Sequence, residues 1–169
     1  MKHRMLSLLF VVLMILSGCN TETTPSTPNT EELLDAIDSY IQNEIHVGEP
    51  LPLMQQYQNA ILNAISYRIL SCDAVSESNG TMNVEFTYID VLAMADSVSD
   101  VCFAEDEYYQ ACLEIIQQQE CRMITEKVEI AYEVSAEGYC IVRSDPLINV
   151  LSGGVLNYYK ELLEEIDHG

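Results

Sequence analysis

Tryptophan is absent from the 169-residue chain, and basic side chains are scarce, with seven lysines and arginines against 27 aspartates and glutamates. The net charge of −20 repels phosphate groups and excludes the positively charged surface of nucleic-acid-binding proteins. We therefore expect no nucleic-acid partner. The acidity either attracts cationic peptides, cationic polymers or Ca²⁺, or it only provides a solvated exterior.

Histidine is also scarce, and only His46 and His168 lie beyond the first 18 residues. His46 lies at the end of a predicted helix, where it would interact with the helix dipole, and His168 is the penultimate residue. Neither position indicates the base of a catalytic triad. The sequence also has no CxxC pair, which argues against a structural zinc site. We assign no catalytic residue, metal or cofactor, and enzymatic activity stays open.

One long hydrophobic run is present, from Met5 to Leu16, and it follows the basic start Lys2-His3-Arg4. This run is interrupted only by Ser7, and its twelve residues are fewer than the roughly 20 that a membrane-spanning helix needs. A basic start and a short apolar core are typical of a secretory leader. We therefore predict that the leader does not remain as a membrane span.

The hydrophobic run is followed by Ser17, Gly18 and Cys19, and the segment Leu16-Ser17-Gly18-Cys19 resembles the lipobox of bacterial lipoprotein precursors. The resemblance implies cleavage between Gly18 and Cys19, a diacylglyceryl group on the Cys19 thiol and often another acyl chain on the new N-terminus. A second acyl chain makes such an anchor stable, at about 0.8 kcal/mol per buried methylene. We expect a lipid anchor in the cell membrane, with the domain facing the outside of the cytoplasmic membrane; the alternative is an ordinary signal peptide cut at the same bond.

Three segments follow from this interpretation: a leader over residues 1–18, a lipidated N-terminus and flexible tether over 19–29, and a single domain over 30–169. The tether is rich in Thr, Ser and Pro and has no apolar side chain to bury after Cys19. Removing Lys2 and Arg4 with the leader leaves five basic against 27 acidic residues, a net charge of −22.

Five cysteines besides the proposed anchor are candidates for disulfide bonds: Cys72, Cys102, Cys112, Cys121 and Cys140. An exported domain can form disulfides, but the odd number leaves at least one thiol unpaired within the chain. The spacing does not give the connectivity. The alternative is that several of them are buried thiols that act as small hydrophobic side chains.

Apolar residues recur at helical spacing in five parts of the domain. These are Thr30 to about His46, Leu53 to about Arg68, Val91 to Cys102, Glu105 to about Glu120, and a last helix that Asp145 caps, Gly153-Gly154 interrupts and Ile166 ends. Thr30 is expected to cap the first of them. The Gly-Pro-rich turn at residues 48–52 makes the first two helices antiparallel neighbours.

Alternating patterns predict two β-hairpins between these helices. The first begins at Ile69, turns at Ser78-Asn79-Gly80 and places Met82, Val84, Phe86 and Tyr88 on one face. The second places Val128, Ile130, Tyr132 and Val134 on one face, and turns at Glu137-Gly138 into the strand 139–142. The order α-αββ-αββ-α predicts an α+β domain with one curved antiparallel sheet packed by helices, and a possible repeat at the level of topology.

The segments 138–141 and 147–154 resemble the ends of small uncharacterised lipoproteins of Gram-positive gut bacteria, some with NTF2-like or cystatin-like folds. The resemblance covers the leader and the last third of the chain. It implies an NTF2-like or cystatin-like sheet whose open face is a surface for a ligand or partner. Family members of this kind mostly lack known activities.

Three functions stay open at this point. The first is a non-enzymatic lipoprotein that binds a peptide, polymer or protein partner. The second is a small NTF2-like isomerase or hydrolase with a buried carboxylate, although Glu85, Glu129 and Glu133 all fall on the polar side of their strands. The third is a surface cation-binding protein, for which the densest acidic run is Asp96, Asp100, Glu105, Asp106 and Glu107, without EF-hand spacing. Gly153-Gly154 would either bind an anion or serve close packing.

Overall fold

Helices and strands alternate in pairs along the residues that the computed structural model describes, 27–48, 51–99 and 104–167. In chain order they are α1 (Thr30–Glu44), α2 (Leu53–Asn63), β1 (Ser66–Ala74), β2 (Asn79–Ile89), α3 (Val91–Ser99), α4 (Glu105–Gln118), β3 (Met123–Ser135), β4 (Gly138–Ile141), α5 (Asp145–Leu151) and α6 (Val155–Asp167). The predicted α+β fold, with two hairpins in one curved antiparallel sheet packed by helices, is confirmed.

The four strands lie in the order β1-β2-β3-β4, and every neighbouring pair is antiparallel. The central pair is the longest, running from Asn79 opposite Glu133 to Ile89 opposite Met123. Because the chain passes through α3 and α4 between these two strands, the two hairpins meet along β2 and β3. A register shift between Ile69 and Ser71 marks a bulge in β1.

One face of the sheet is buried and the other is polar, as the alternation predicts. The core side chains of β2, from Met82 to Tyr88, are at most 1% exposed. On the opposite face, Arg68 pairs with Glu85 at 2.7 Å, and the Thr87 and Thr125 hydroxyls are 2.9 Å apart. Alternate residues occupy this outer face, including Glu85, Glu129 and Glu133, so these three carboxylates belong to the polar face.

Two apolar clusters hold helices α1 to α5. In the first, α1 and α5 pack on the sheet, with Leu33, Ile37 and Leu147 against the core face of β2 and β3. In the second, α2, α3 and α4 pack together around Tyr57 and Cys112 at the end of β2. The second cluster is built almost entirely from helices, and it extends the core beyond the sheet.

Several element boundaries differ from the predictions. Helix α2 ends at Asn63 rather than near Arg68, because Tyr67 and Ile69 turn their side chains into the sheet core and Arg68 pairs with Glu85. Helix α4 ends at Gln118, where Gln119 adopts a left-handed conformation with a φ of 58°.

The N-cap residues of α1 and α5 also differ from the predicted ones. Asn29, not Thr30, caps α1, and its side-chain oxygen accepts a hydrogen bond from the Glu31 amide at 3.1 Å. Ser144 occupies the N-cap position of α5, so Asp145 is the first helical residue and Pro146 the second. Asp145 instead forms a 2.7 Å ion pair with Lys160 of α6.

Candidate functional site

A half-open pocket of about 420 Å³ lies between α2 and the junction of α5 with α6, and we call it the α2–α6 pocket. Its apolar walls are Tyr57, Ile61, Leu62, Val91, Ile148, Leu151 and Val155, and its polar members are Glu44, His46, Gln58, Arg143 and Ser152. Helical spacing explains the walls, because one turn separates Tyr57 from Ile61 on α2. An apolar wall with a few polar groups is the usual composition of a ligand pocket of this size.

Tyr57 is the aromatic residue of this wall, and it is buried. Its ring contacts Tyr108 and Tyr109 of α4, with ring centroids 6.3 and 5.4 Å away. Burial, and then the neighbouring Tyr108, raise the pKa of the Tyr57 hydroxyl well above its ordinary value. The wall of the pocket at this position therefore stays uncharged over the physiological pH range.

His46 lies on the rim of the pocket, and its backbone is attached to α2. Asn59 makes two hydrogen bonds to it: its side-chain oxygen accepts from the His46 amide at 2.8 Å, and its side-chain nitrogen donates to the His46 carbonyl at 2.7 Å. His46 Nε2 lies 3.1 Å from Gln58 Oε1. Helix α1 ends at Glu44, two residues before His46, and the hydrogen-bonded neighbour of the His46 ring is on α2.

Arg143 provides a positive charge on the same rim. It follows β4 and is exposed. Among the described basic residues, Arg68, Arg122 and Lys160 form ion pairs with nearby carboxylates, at 2.7, 3.4 and 2.7 Å, and Arg143 is in none of these pairs. Arg143 therefore adds a positive charge to the rim of the pocket, and this charge also acts on the Tyr40 hydroxyl.

A second cleft, of about 510 Å³, lies between α1 and the edge strand β4. Its α1 side carries Glu32, Asp35, Ser39, Tyr40 and Asn43, and its other side is the segment 137–141. This cleft is more polar than the α2–α6 pocket, and no lysine or arginine lines it. Solvated carboxylates explain its composition without a ligand.

Glu126 is a carboxylate on the core face of the sheet that the sequence interpretation did not single out. It accepts a hydrogen bond from the Tyr88 hydroxyl at 3.0 Å, and Asn149 Nδ2 lies 3.5 Å from the same oxygen. Burial, and then this hydrogen bond, raise the pKa of Tyr88. The signal in the sequence is an acid at a core-facing position, between Ile124 and Val128.

Asn149 joins this carboxylate to the start of α6. It is 2% exposed, and its side-chain oxygen accepts a hydrogen bond from the Asn157 amide at 3.0 Å. Glu126 lines neither the α2–α6 pocket nor the cleft beside β4. The group formed by Tyr88, Glu126 and Asn149 therefore positions α6 on the sheet rather than facing either cavity.

The cysteine candidates are spread over the domain. Cys72, Cys121 and Cys140 are free thiols, and Cys112 is fully buried beside Tyr108 in the helical cluster. Burial raises the pKa of the Cys72 and Cys121 thiols. Gly18, Cys19 and Cys102 lie outside the described residues, so lipidation and any disulfide pairing remain predictions.

The acidic run and the glycine pair are also accounted for by local structure. Glu105, Asp106 and Glu107 form the first turn of α4, and Asp96 lies on α3, while Asp100 is outside the described residues. No group of three or more His, Cys, Asp or Glu side chains among the described residues has the geometry to hold a metal ion.

Gly153 and Gly154 have φ values of 66° and 88°, and their amides donate to Val150 and Asn149 carbonyls. A side chain at Gly153 would collide with Val91 and with the Ile89 carbonyl. Because these amides are used within the turn, the glycine pair serves close packing of the α5–α6 turn against the end of β2 and the start of α3.

Comparison with known proteins gives no relative: no protein-family model, no curated protein and no solved structure matches the chain. Within the described residues, none of the helices has both the length and the apolar character needed to span a bilayer.

Proposed function

We propose that this protein is a lipid-anchored extracytoplasmic binding protein without catalytic activity, and that a peptide, polymer or protein partner binds at the α2–α6 pocket. The observation that carries this proposal is the pocket itself: an apolar wall lies next to Arg143 and His46, beside the first turn of α6. Its volume falls within the range typical of ligand sites.

The composition of the pocket supports binding rather than chemistry. The Tyr57 hydroxyl is neutral, and the His46 ring contacts the side-chain amide of Gln58. The carboxylate on the core face, Glu126, already accepts a hydrogen bond from the Tyr88 hydroxyl. An isomerase or hydrolase that uses a buried carboxylate would need that group to face a cavity. Glu126 does not line the pocket, and Glu44, which does, is exposed rather than buried, so the binding interpretation is the better supported of the two.

The proposed anchor fixes how far the domain can be from the membrane. The chain takes eleven residue-to-residue steps from Cys19 to Thr30 at the start of α1, and at about 3.3–3.6 Å per residue these span at most about 40 Å. The acidic surface is repelled by anionic headgroups, so the tether holds the domain close to a surface that its charge avoids. The pocket would therefore face partners outside the membrane.

The anchor is tested by Cys19→Ala, with Cys140→Ala as a control because Cys140 is exposed. We expect Cys19→Ala to abolish incorporation of labelled fatty acid and to release the protein from the membrane fraction, and we expect Cys140→Ala to change neither. Membrane attachment and labelling that persist in Cys19→Ala would refute the anchor.

The pocket is tested by photo-crosslinking in intact cells with a benzophenone amino acid at Gln58, on the rim, or at Glu129, on the outer face of the sheet. We expect a discrete adduct from position 58 only, and we expect Ile148→Trp, which fills the pocket, to remove it. Adducts from both positions, or none from position 58, would contradict the assignment. Calorimetry with Ca²⁺ separately tests the alternative of a cation-binding protein.

A further inference from the structure

Helix α6 presents an apolar stripe to solvent, which we call the α6 stripe. Its members are Tyr158, Tyr159, Leu162, Leu163 and Ile166, and they are 39% to 67% exposed. They recur at spacings of three and four residues, so they form one face of the helix. A contiguous exposed face of this kind marks an interaction surface more often than isolated exposed residues do.

The α6 stripe is continuous with the α2–α6 pocket. Val155, in the first turn of α6, lines that pocket, and Tyr159, Leu162 and Ile166 follow it on the same side of the helix. From Val155 to Ile166 the helix rises about 17 Å, which is three turns. A partner seated in the pocket would therefore lie along this stripe.

The charges beside the stripe are unequal. At about 100° per residue, Glu161 and Glu165 lie next to Tyr158 on one flank, whereas Glu164 lies on the opposite side of the helix from the stripe. On the other flank, Lys160 is held by Asp145 at 2.7 Å. One border of the apolar surface is thus acidic, without a basic residue of α6 to neutralise it.

These charges select among the possible occupants. A second copy of the chain would bring another acidic helix and the same large negative charge. An anionic bilayer surface would be repelled. An amphipathic helix with basic residues beside its apolar face would match both the stripe and the flank formed by Glu161 and Glu165.

We propose that the α6 stripe and the adjoining α2–α6 pocket bind a basic amphipathic helix of a partner protein. This inference rests on the proposed function and names the class of partner. Two helices with apolar residues at spacings of three and four pack side by side, and oppositely charged flanks fix their register and relative direction. The basic side chains of the partner would face Glu161 and Glu165.

The experiment uses the mature chain purified from membranes and reconstituted in phosphatidylcholine nanodiscs, or the secreted chain directly if Cys19 carries no lipid. The probe is a fluorescent 18-residue amphipathic peptide with leucines on one face and lysines on both flanks, and the comparison peptide has glutamates in place of the lysines. We expect the basic peptide to bind at least about tenfold more tightly, and we expect added salt to weaken its binding.

Matched variants locate the binding surface. We expect Glu161→Lys/Glu165→Lys to weaken binding of the basic peptide about tenfold, and Glu164→Lys, on the opposite side of the helix, to weaken it less than about threefold. We also expect Tyr159→Ser/Leu163→Ser to weaken it about tenfold. Because these side chains are exposed, the circular dichroism spectra should stay unchanged.

Other results would overturn the proposal. Equal losses in Glu164→Lys and in the single variant Glu165→Lys, which changes the net charge by the same amount, would indicate attraction to the overall charge alone. Loss of a dimer in Leu163→Ser by light scattering would identify a second copy as the occupant, and binding to anionic vesicles would identify a membrane. If Ile148→Trp removes the cellular crosslink while the α6 variants keep it, the pocket binds its partner without the stripe.

Discussion

Helices α1 and α6 have similar amphipathic sequences, but they lie in opposite environments. The stripe of α1, formed by Leu33, Ile37 and Ile41, is at most 5% exposed because it packs on the core face of the sheet. The α6 stripe has side chains that are 39% to 67% exposed. Apolar residues at helical spacing indicate that one face of a helix favours burial, but they do not identify the surface that covers this face.

The two helices also differ in how the rest of the domain holds them. Asp38 of α1 accepts a hydrogen bond from the Tyr67 hydroxyl. Just before α1, the Asn29 backbone amide donates a hydrogen bond to the Tyr139 hydroxyl at 3.2 Å. The described contacts of α6 lie near its start, at Asn157 and Lys160. The second half of α6 therefore projects from the domain with its apolar face uncovered.

The largest contrast is expected between two identical substitutions. Ile37→Ala in α1 should lower the free energy of unfolding by about 2–5 kcal/mol, because it leaves a cavity in the core. Ile166→Ala in α6 should change it by less than about 0.5 kcal/mol, since that side chain is already in water. Urea titration monitored by circular dichroism measures both. Equal effects would mean that α6 is covered in solution.

Asn149→Ala removes the buried amide that holds the start of α6. We expect a loss of about 1–3 kcal/mol, because the Glu126 carboxylate and the Asn157 amide each lose a partner. Asn157→Ala is the control, as only the backbone of Asn157 takes part. Hydrogen exchange at the amides of α6 should accelerate in the first variant and stay unchanged in the second.

The capping residue of α1 is tested by Asn29→Ala and Thr30→Ala. The first should cost about 1 kcal/mol, because the Glu31 amide loses the side-chain acceptor that caps the helix. The second should cost less than about 0.5 kcal/mol, since Thr30 is exposed and already helical. A larger loss for Thr30→Ala in thermal unfolding would restore it as the cap.

The smallest expected change is a slope with pH between pH 9 and 11, and it concerns Tyr67, whose hydroxyl joins β1 to α1. Burial, and then the hydrogen bond to Asp38, raise the pKa of its hydroxyl above the ordinary value near 10. The folded state therefore keeps a proton that the unfolded chain loses, so this contribution to stability is complete below about pH 10 and declines as the pH rises above it. Tyr67→Phe should show a shallower decline in unfolding free energy between pH 9 and 11.

Much of the fold followed from local patterns. Alternation of apolar and polar residues on β2 and β3 predicted which face is buried, because the side chains of a strand alternate between its two faces. The predicted end of α2, near Arg68, was wrong because residues 64–68 continue the helical spacing of apolar residues. Pairing of Tyr67 with Phe86 in the sheet overrides that pattern.

The candidate site was much less predictable. His46 was noticed as a helix-end histidine, but the Gln58 amide beside it and the apolar wall come from segments far apart in the chain. Glu126 was missed because a single acid at a core-facing position looks like a break in the pattern. Its meaning depends on Tyr88 and Asn149, which lie 38 and 23 residues away.

The sequence by itself determined the acidity, the leader and tether prediction, the order of helices and hairpins, and the apolar faces of α1 and α6. These are properties of composition and of local period, which each segment carries alone. Only the tertiary structure decided that one apolar helix face is covered and the other open, and that the pocket forms beside the open one. Burial depends on which distant segments meet, and the sheet has room on its core face for α1 and α5 but leaves the end of α6 outside.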